Sequence, residues 1–395
     1  MLFQIIDNKS ECLGYYTDGK LIFEEELPSD MKRTWKYSLS LEEAKGVELA
    51  YLYCGGKSIE EVCPSHLRER LQKHSEKLKA FVRSFMESKI SLHENCFFNL
   101  VPHKFLINYY DAKNEICRHV FENYEKPYNY YYMKDLSMTL EQIRHRPLNV
   151  DLKIMRDEAH TVAGKNFINK MKNTKLVCDY NIFGTKTGRL TTKKNTFPIL
   201  TMDKKYRNIL KPTNDWFVEL DFNAAELRTI LSLNDKEQPT IDMHSWNAEY
   251  VYNNDKTRDE AKKSIFAWLY NPDSKDSAPN KFYDKENLLQ NYYINGTVTN
   301  PFGREIAADP HHAINYLVQS TSADNTLRQM VRIAKMLRGC KSFVAFTLHD
   351  SVIIDLHHQE RSLLPLLTHS FGSTDLGEFV VNISAGQSFG NMRSL

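Results

Sequence analysis

Two apolar runs interrupted by three polar residues limit what the C-terminal part of this chain can become. They read Phe343-Val-Ala-Phe-Thr-Leu348, then His349-Asp350-Ser351, then Val352-Ile-Ile-Asp355. Short runs of this composition around a polar break predict a β-hairpin with His349 and Asp350 at its tip. A second segment, Trp216-Phe-Val-Glu-Leu-Asp221-Phe-Asn-Ala-Ala-Glu226-Leu-Arg228, reads as an apolar strand that runs into Asp221 and gives way to a helix near Asn223 or Ala224. If the hairpin pairs beside that strand, Asp221 and Asp350 come together. Close carboxylates repel and shift each other's pKa unless a cation sits between them. For such hard oxygen ligands the expected ion is Mg²⁺, bridging protein and substrate phosphates. Taken singly, each residue has an ordinary explanation: a helix N-cap for Asp221, a common turn residue for Asp350. Only the pairing points to chemistry.

A third segment carries a four-residue spacing. Arg258, Lys262, Phe266 and Tyr270 recur through Arg258-Asp-Glu-Ala-Lys-Lys-Ser-Ile-Phe-Ala-Trp-Leu-Tyr270. On an α-helix each step of four drifts by roughly 40° and rises about 6 Å, so the four share one stripe about 18 Å long. Two cations followed by two rings suit a nucleoside triphosphate, with phosphates on Arg258 and Lys262 and the sugar and base near Phe266 and Tyr270. A helix with a basic solvent face and an aromatic core face has the same spacing. Farther on, Asn315 and Gln319 share one face of a further helix, where neutral amides can meet base or sugar edges without burying charge.

Charge is unevenly spread. The 395 residues carry a net charge of only +2, yet Lys165–Lys211 holds twelve Lys or Arg against Asp179 and Asp203, a local balance of +10. With Tyr180, Phe183, Phe197 and Tyr206 interleaved, this block can lie along a phosphate backbone, or it can be a solvated surface. An apolar share of 42% and a charged share of 26% exclude global disorder. No apolar run approaches the roughly 20 residues that cross a bilayer, and the N-terminus shows no secretory pattern. Seven cysteines without a CxxC pair read as reduced, buried thiols of a cytosolic protein. Residues 1–30 read as strands (Met1–Ile6, Gly14–Thr17, Leu21–Glu25) around a turn at Asp18-Gly19. A long amphipathic helix is expected from Pro64 to about Ser88, and residues 102–173 look mostly helical, broken near Pro127 and Pro147. The remainder alternates strand and helix, a mixed α/β chain.

In this order, the segments resemble those of a family A DNA polymerase, the class of bacterial polymerase I and its phage relatives. The Asp221 segment resembles motif A, the Arg258 helix motif B, and His349-Asp350 motif C. Thr185-Lys-Thr-Gly188-Arg189-Leu190-Thr-Thr is similar to the threonine–glycine–arginine–leucine signature, Asp242-Met-His244 to the aspartate–x–histidine element, and Phe302-Gly303-Arg304 to the phenylalanine–glycine–arginine element. Asn315 and Gln319 also align. Leu148-Asn-Val-Asp151 looks like the start of the thumb and Val380–Phe389 like the closing palm strand. The resemblance covers about residues 140–395.

It implies a right-hand polymerase fold of α/β (α+β) class: thumb about 141–185, palm about 186–235 and 304–395, fingers about 236–303. It also implies DNA-directed DNA polymerase activity, in which dNTPs are added to a primer 3′-hydroxyl on primer–template DNA. Asp221, Asp350 and the carbonyl of Phe222 would hold two Mg²⁺, for which Mn²⁺ can substitute. His244, Arg258 and Lys262 would bind phosphates; Phe266 would stack near the sugar and base; Tyr270 would lie beside the templating base and hydrogen-bond Glu226, which excludes the ribose 2′-hydroxyl. Arg189, Arg304, Asn315, Gln319 and His349 would touch template, primer or minor groove.

The chain departs from the family pattern in four places. Ser351 replaces the acidic residue after the motif C aspartate. Ile265, Ala267 and Asn271 replace an asparagine and two glycines of motif B. Only 46 positions separate Arg258 from Arg304, so trimmed fingers are expected. Residues 1–140 are short for the family's proofreading exonuclease, and Asp7-Asn8-Lys9 has a lysine where a metal-binding carboxylate belongs. Tyr131 and Asp135 imitate a further exonuclease motif in a tyrosine-rich stretch. The expectation is a degenerate, RNase H-like exonuclease domain or an accessory domain at 1–140, and no intrinsic proofreading. A single-subunit RNA polymerase and a non-catalytic primer–template-binding subunit are the alternatives. Further expectations are a cytoplasmic, bacterial or phage-encoded protein, with a separate exonuclease, helicase or processivity factor as partner and no membrane.

Overall fold

The computed structural model describes residues 1–395 apart from 9–11, 24–26, 43, 45, 92, 93, 157, 272 and 273, and gives the backbone alone for 7, 8, 12 and 13. The chain divides into two compact units, Met1–Gln142 and Ile143–Leu395. No helix is long and apolar enough to cross a membrane among the described residues.

In the first unit, β1 (Gln4–Asn8), β2 (Cys12–Thr17) and β3 (Lys20–Ile22) form an antiparallel meander. Its second turn is Asp18-Gly19, and both residues take positive φ (45° and 79°), as a tight hairpin turn of this hand requires. A parallel bridge from Leu2 to Arg33 brings β4 (Arg33–Thr34) beside the start of the chain, and β4 pairs in parallel with β5 (Glu48–Leu49). The spatial order is therefore β3-β2-β1-β4-β5. The expected amphipathic helix is α1 (Ser65–Glu87), which buries Leu67, Leu71 and Phe85 and packs on α2 (His103–Asn123). Arg70 of α1 joins the pair by reaching both Asp111 and Glu115 of α2. Pro127 separates α2 from α3 (Tyr130–Arg144), and Pro147 is followed by short turns of helix and then by an 11-residue helix, Val162–Lys172, so the stretch 102–173 is mostly helical with breaks near both prolines.

One expectation about cysteine is overturned. Cys54, Cys63, Cys117 and Cys178 are free and buried, and Cys340 is free, but Cys96 is in a disulfide whose partner lies outside the described side chains. Spacing along the chain does not reveal this, because a bridge depends on Cα atoms that the fold brings together. The side chains of Asp7 and Asn8, and all of Lys9, also lie outside the described residues.

The second unit is built on a five-stranded antiparallel sheet. Its strands are β6 (Trp216–Phe222), β7 (Phe343–Leu348), β8 (Ser351–Leu356), β9 (Val381–Gly386) and β10 (Arg393–Ser394), in the order β7-β8-β6-β9-β10. The predicted hairpin is β7–β8, and it does lie beside β6. A second core unites α4 (Ala225–Leu233), α6 (Arg258–Tyr270) and α7 (Pro310–Met336) through Leu227, Ile230, Ile265, Trp268, Ala313 and Leu317. Between α4 and α6 a short helix, α5 (Met243–Trp246), starts at Asp242.

Candidate active site

Strand pairing sets the position of the two carboxylates. Asp221 is the penultimate residue of β6 and is flanked by Ser351 of β8 on one side and Asn382 of β9 on the other. Asp350 immediately precedes Ser351 in the β7–β8 turn, so it stands at the same end of the sheet. The chain bends sharply beside each carboxylate. Ala224 and His349 are non-glycine residues at φ 54°, a left-handed conformation that costs on the order of 1–2 kcal/mol apiece. Ser351, where the family pattern has an acid, is buried, and its hydroxyl donates to the Leu348 carbonyl at 3.0 Å, closing the turn.

The electrostatics are those of negative charge short of compensation. Burial, then Glu219, then Asp350 push the Asp221 carboxyl up to about 7, while Asn382 and Lys262 pull it down. The Asn382 amide reaches Asp221 at 3.4 Å. Burial and Glu226 also raise Asp350, against Arg189 and His349. Two half-buried carboxylates, with the Phe222 carbonyl between strand and helix, are a hard-oxygen donor set that fits a divalent cation and that a cation would relieve.

The stripe on α6 lies on the accessible side of that helix. Ala261, Ile265, Trp268 and Leu269 form its buried face, while Arg258 and Lys262 are exposed and Phe266 and Tyr270 half-buried. The two rings are parallel, with centroids 6.1 Å apart and planes 6° from coplanar. A capping box fixes the start of the helix: Glu260 N donates to the Thr257 hydroxyl, and Thr257 N donates to the Glu260 carboxylate. Lys262 makes no ion pair among the described residues, whereas Arg258 donates from Nε and Nη2 to the two oxygens of Asp242, both at 3.0 Å. Burial opposes ionisation of Asp242, but donors from Arg258, Asn223 and Ser245 outweigh it and hold that carboxyl well below the usual range.

His244 is placed differently from a phosphate-binding cation. Only 5% of it is exposed, and its Nδ1 lacks a partner among the described residues. Burial and the nearby Lys262 push its pKa down to about 4, so the ring is neutral. Arg304 is likewise engaged elsewhere: Nε and Nη2 grip Asp324 at 2.9 and 2.6 Å, and Asp324 is 1% exposed. Gly188 (φ 78°) makes room for that guanidinium, since a Cβ there would stand 2.5 Å from Arg304 Nη2. Arg189 donates to Glu226 at 2.8 Å; Tyr270 donates to the other Glu226 oxygen and hydrogen-bonds Gln319. Asn315 is half-buried one turn from Gln319, and His349 is exposed at the hairpin tip.

Four contributors were not singled out as site residues from the sequence. Glu219 shares a face of β6 with Asp221 by strand alternation, and Ser384 donates to it at 3.1 Å. Asn382 pairs opposite Asp221. Arg228 is fully buried and donates to the carbonyls of Asn223, Pro239 and Ile241 at 2.8, 2.7 and 2.9 Å. Asn223 links to Asp242 at 2.9 Å. A charged residue at an apolar position of α4 was the only hint of Arg228. In the basic block, nine lysines (165, 170, 172, 175, 186, 193, 194, 204 and 205) are exposed. The interleaved aromatics differ from the expectation: Tyr180, Phe197 and Tyr206 are buried in the core and offer no stacking surface. Among the described residues, the group of three with metal-ligand spacing is a different one, Asp215, His357 and His358, at the far end of β6 and β8. There the His358 backbone N–H bonds Asp215 at 2.7 Å and closes the loop.

No family model matches the chain, and no curated protein matches it in sequence. Its fold is similar to that of the POL domain of Pol1 from M. smegmatis, solved in complex with DNA primer-template and dNTP. The TM-score is 0.64 at 11% identity, over 98% of this chain and 95% of that one. At that identity the likeness is one of fold. Its coverage extends through the first unit, beyond the stretch that carries the sequence resemblance.

Proposed function

We propose that the chain is a template-directed DNA polymerase of the family A type, a nucleotidyltransferase without intrinsic 3′–5′ proofreading. The observation that carries this reading is the pairing of β6 with β7–β8, which sets Asp221 beside Asp350, in a molecule with a polymerase-domain fold. Asp221, Asp350 and the Phe222 carbonyl would hold two Mg²⁺. When bound, such ions lower the pKa of a primer 3′-hydroxyl and neutralise charge on a triphosphate. Lys262 and Arg258 would take the phosphates, with the neutral His244 donating or accepting a hydrogen bond. Phe266 and Tyr270 would offer flat surfaces to the sugar and base. Glu226, fixed by Arg189 and Tyr270, would fill the space of a ribose 2′-hydroxyl. Asn315, Gln319 and His349 would meet the duplex, and Arg304 would support that surface through Asp324.

The order β3-β2-β1-β4-β5 supports reading residues 1–140 as a reduced RNase H-like scaffold. The thumb, palm and fingers would follow the ranges given above, in a cytoplasmic protein of bacterial or phage origin. Primer extension with Mg²⁺ and dNTPs tests the proposal. Asp221→Asn and Asp350→Asn should each lower extension by roughly three orders of magnitude and leave primer–template binding largely intact. A chain that binds primer–template but extends no primer is an accessory subunit. Glu226→Ala should raise ribonucleotide use; equal use by the unaltered chain would favour an RNA polymerase. Degradation of a mismatched primer that survives Asp221→Asn would overturn the absence of proofreading.

A further inference from the structure

We propose that Asp242 is a positioning residue: it presets Arg258 for the triphosphate and ties it, through Asn223, to the strand that carries Asp221. This deepens the polymerase reading and rests on it. The Asp242 carboxylate accepts from five donors: Arg258 Nε and Nη2 at 3.0 Å each, Asn223 Nδ2 at 2.9 Å, Ser245 N at 2.9 Å and Ser245 Oγ at 3.1 Å. An ionised carboxylate has about four lone-pair sites, so this one is saturated and its orientation fixed.

Asp242 grips the guanidinium on one side only. Nε and Nη2 form the edge that faces Asp242, which leaves Nη1 and the second Nη2 hydrogen directed outward in a fixed planar fork. That outward edge is the one that matches a phosphate. Asp259, 82% exposed, is the group that touches Nη1, at 3.4 Å, an interaction that a phosphate displaces at small cost. A competing latch, one that had to let go before phosphate could bind, would occupy the outward edge; Asp242 does not.

The link behind Asp242 is equally continuous. Asn223 lies two residues after Asp221 and is 7% exposed. Its side-chain oxygen accepts from Met243 N at 2.8 Å and from Arg228 at 3.3 Å, while its amide donates to Asp242. The cation that would receive the triphosphate is thus held in register with the strand end that would receive the metal, through neutral and ionic hydrogen bonds without a gap.

The test is a double-mutant cycle on the full chain with Asp242→Asn and Arg258→Lys, read two ways. One is kcat and KM for dNTP in primer extension; the other is calorimetric binding of inorganic tripolyphosphate, which needs no DNA synthesis. Asp242→Asn should raise KM and weaken tripolyphosphate on the order of ten- to a hundredfold, with kcat changed far less. Combined with Arg258→Lys it should be no worse than Arg258→Lys alone, since the two act as one unit. Asp242→Glu keeps the charge but displaces the carboxylate, and should give a smaller rise in KM. It carries the comparison if Asp242→Asn does not fold. Additive penalties, tighter tripolyphosphate binding in Asp242→Asn, or a fall in kcat and thermal stability at constant KM would each overturn the proposal. The predicted coupling in tripolyphosphate binding from a chain that extends no primer would uphold it and remove the polymerase reading instead.

Discussion

Arg304 and His244 are the residues at which a charge's surroundings decide its work. Asp324 is 1% exposed and depends on Arg304 for two of its hydrogen bonds, with Asn300 supplying another at 2.9 Å. Removing one partner of such a buried pair leaves an uncompensated charge, typically worth about 3–5 kcal/mol. Arg304→Ala should therefore lose about that much in denaturant unfolding without any DNA present, whereas a residue serving DNA alone would leave unfolding unchanged. His244 imposes a pH dependence. Its folded pKa of about 4 lies below the 6.5 of an unperturbed histidine, because burial and Lys262 disfavour the charged ring. The unfolded chain therefore binds the extra proton first, and stability contributed above pH 6.5 is lost as pH falls through that window toward 4. The span corresponds to a loss on the order of 3 kcal/mol. Comparing the chain with His244→Gln in unfolding at pH 7 and pH 5 checks it: the substitution should flatten the dependence. The residue types at these positions were readable from motif spacing. Their partners were not, since Asp324 and Lys262 become neighbours only through packing.

At the scale of elements, the bends beside the carboxylates store strain. Ala224 has a left-handed backbone between β6 and α4, where glycine would be free of the Cβ penalty. Ala224→Gly should raise stability by up to about 1 kcal/mol in denaturant unfolding, because the relief of strain exceeds the entropy that glycine adds to the unfolded chain. It should also lower primer extension as the turn after Asp221 loosens. A fall in stability with unaltered extension would show that the bend neither stores strain nor orients Asp221. The elements themselves were legible. An apolar run into Asp221 marks β6, the polar triplet marks the β7–β8 turn, and the stripe of Arg258, Lys262, Phe266 and Tyr270 falls on α6 from its first residue to its last. Which face of α6 meets the core was open in the sequence. Trp268 and Leu269 settle it by burial, leaving Phe266 and Tyr270 half-buried at the edge of that core.

At the scale of the whole molecule, a net charge of +2 conceals a surface with nine exposed lysines between 165 and 205. If about five of them meet phosphates, primer–template affinity should fall roughly 500-fold between 50 and 200 mM salt. Replacing Lys170, Lys172 and Lys175 by Gln should make that slope shallower by about 0.9 for each phosphate that is no longer neutralised. A salt slope unchanged by the triple substitution would exclude this surface from the footprint. The local elements, the order of the chemical motifs and the position of the basic block are legible along the chain. Each of these depends on neighbours within a few turns or one strand of the chain. Packing is what puts Glu219 and Asn382 beside Asp221, has Arg228 and Asn223 hold the Asp242 segment, turns Arg304 to Asp324, and bridges Cys96. Those interactions join segments far apart along the chain. Their energies come from burial and hydrogen-bond geometry, which exist once the sheet and helices have packed.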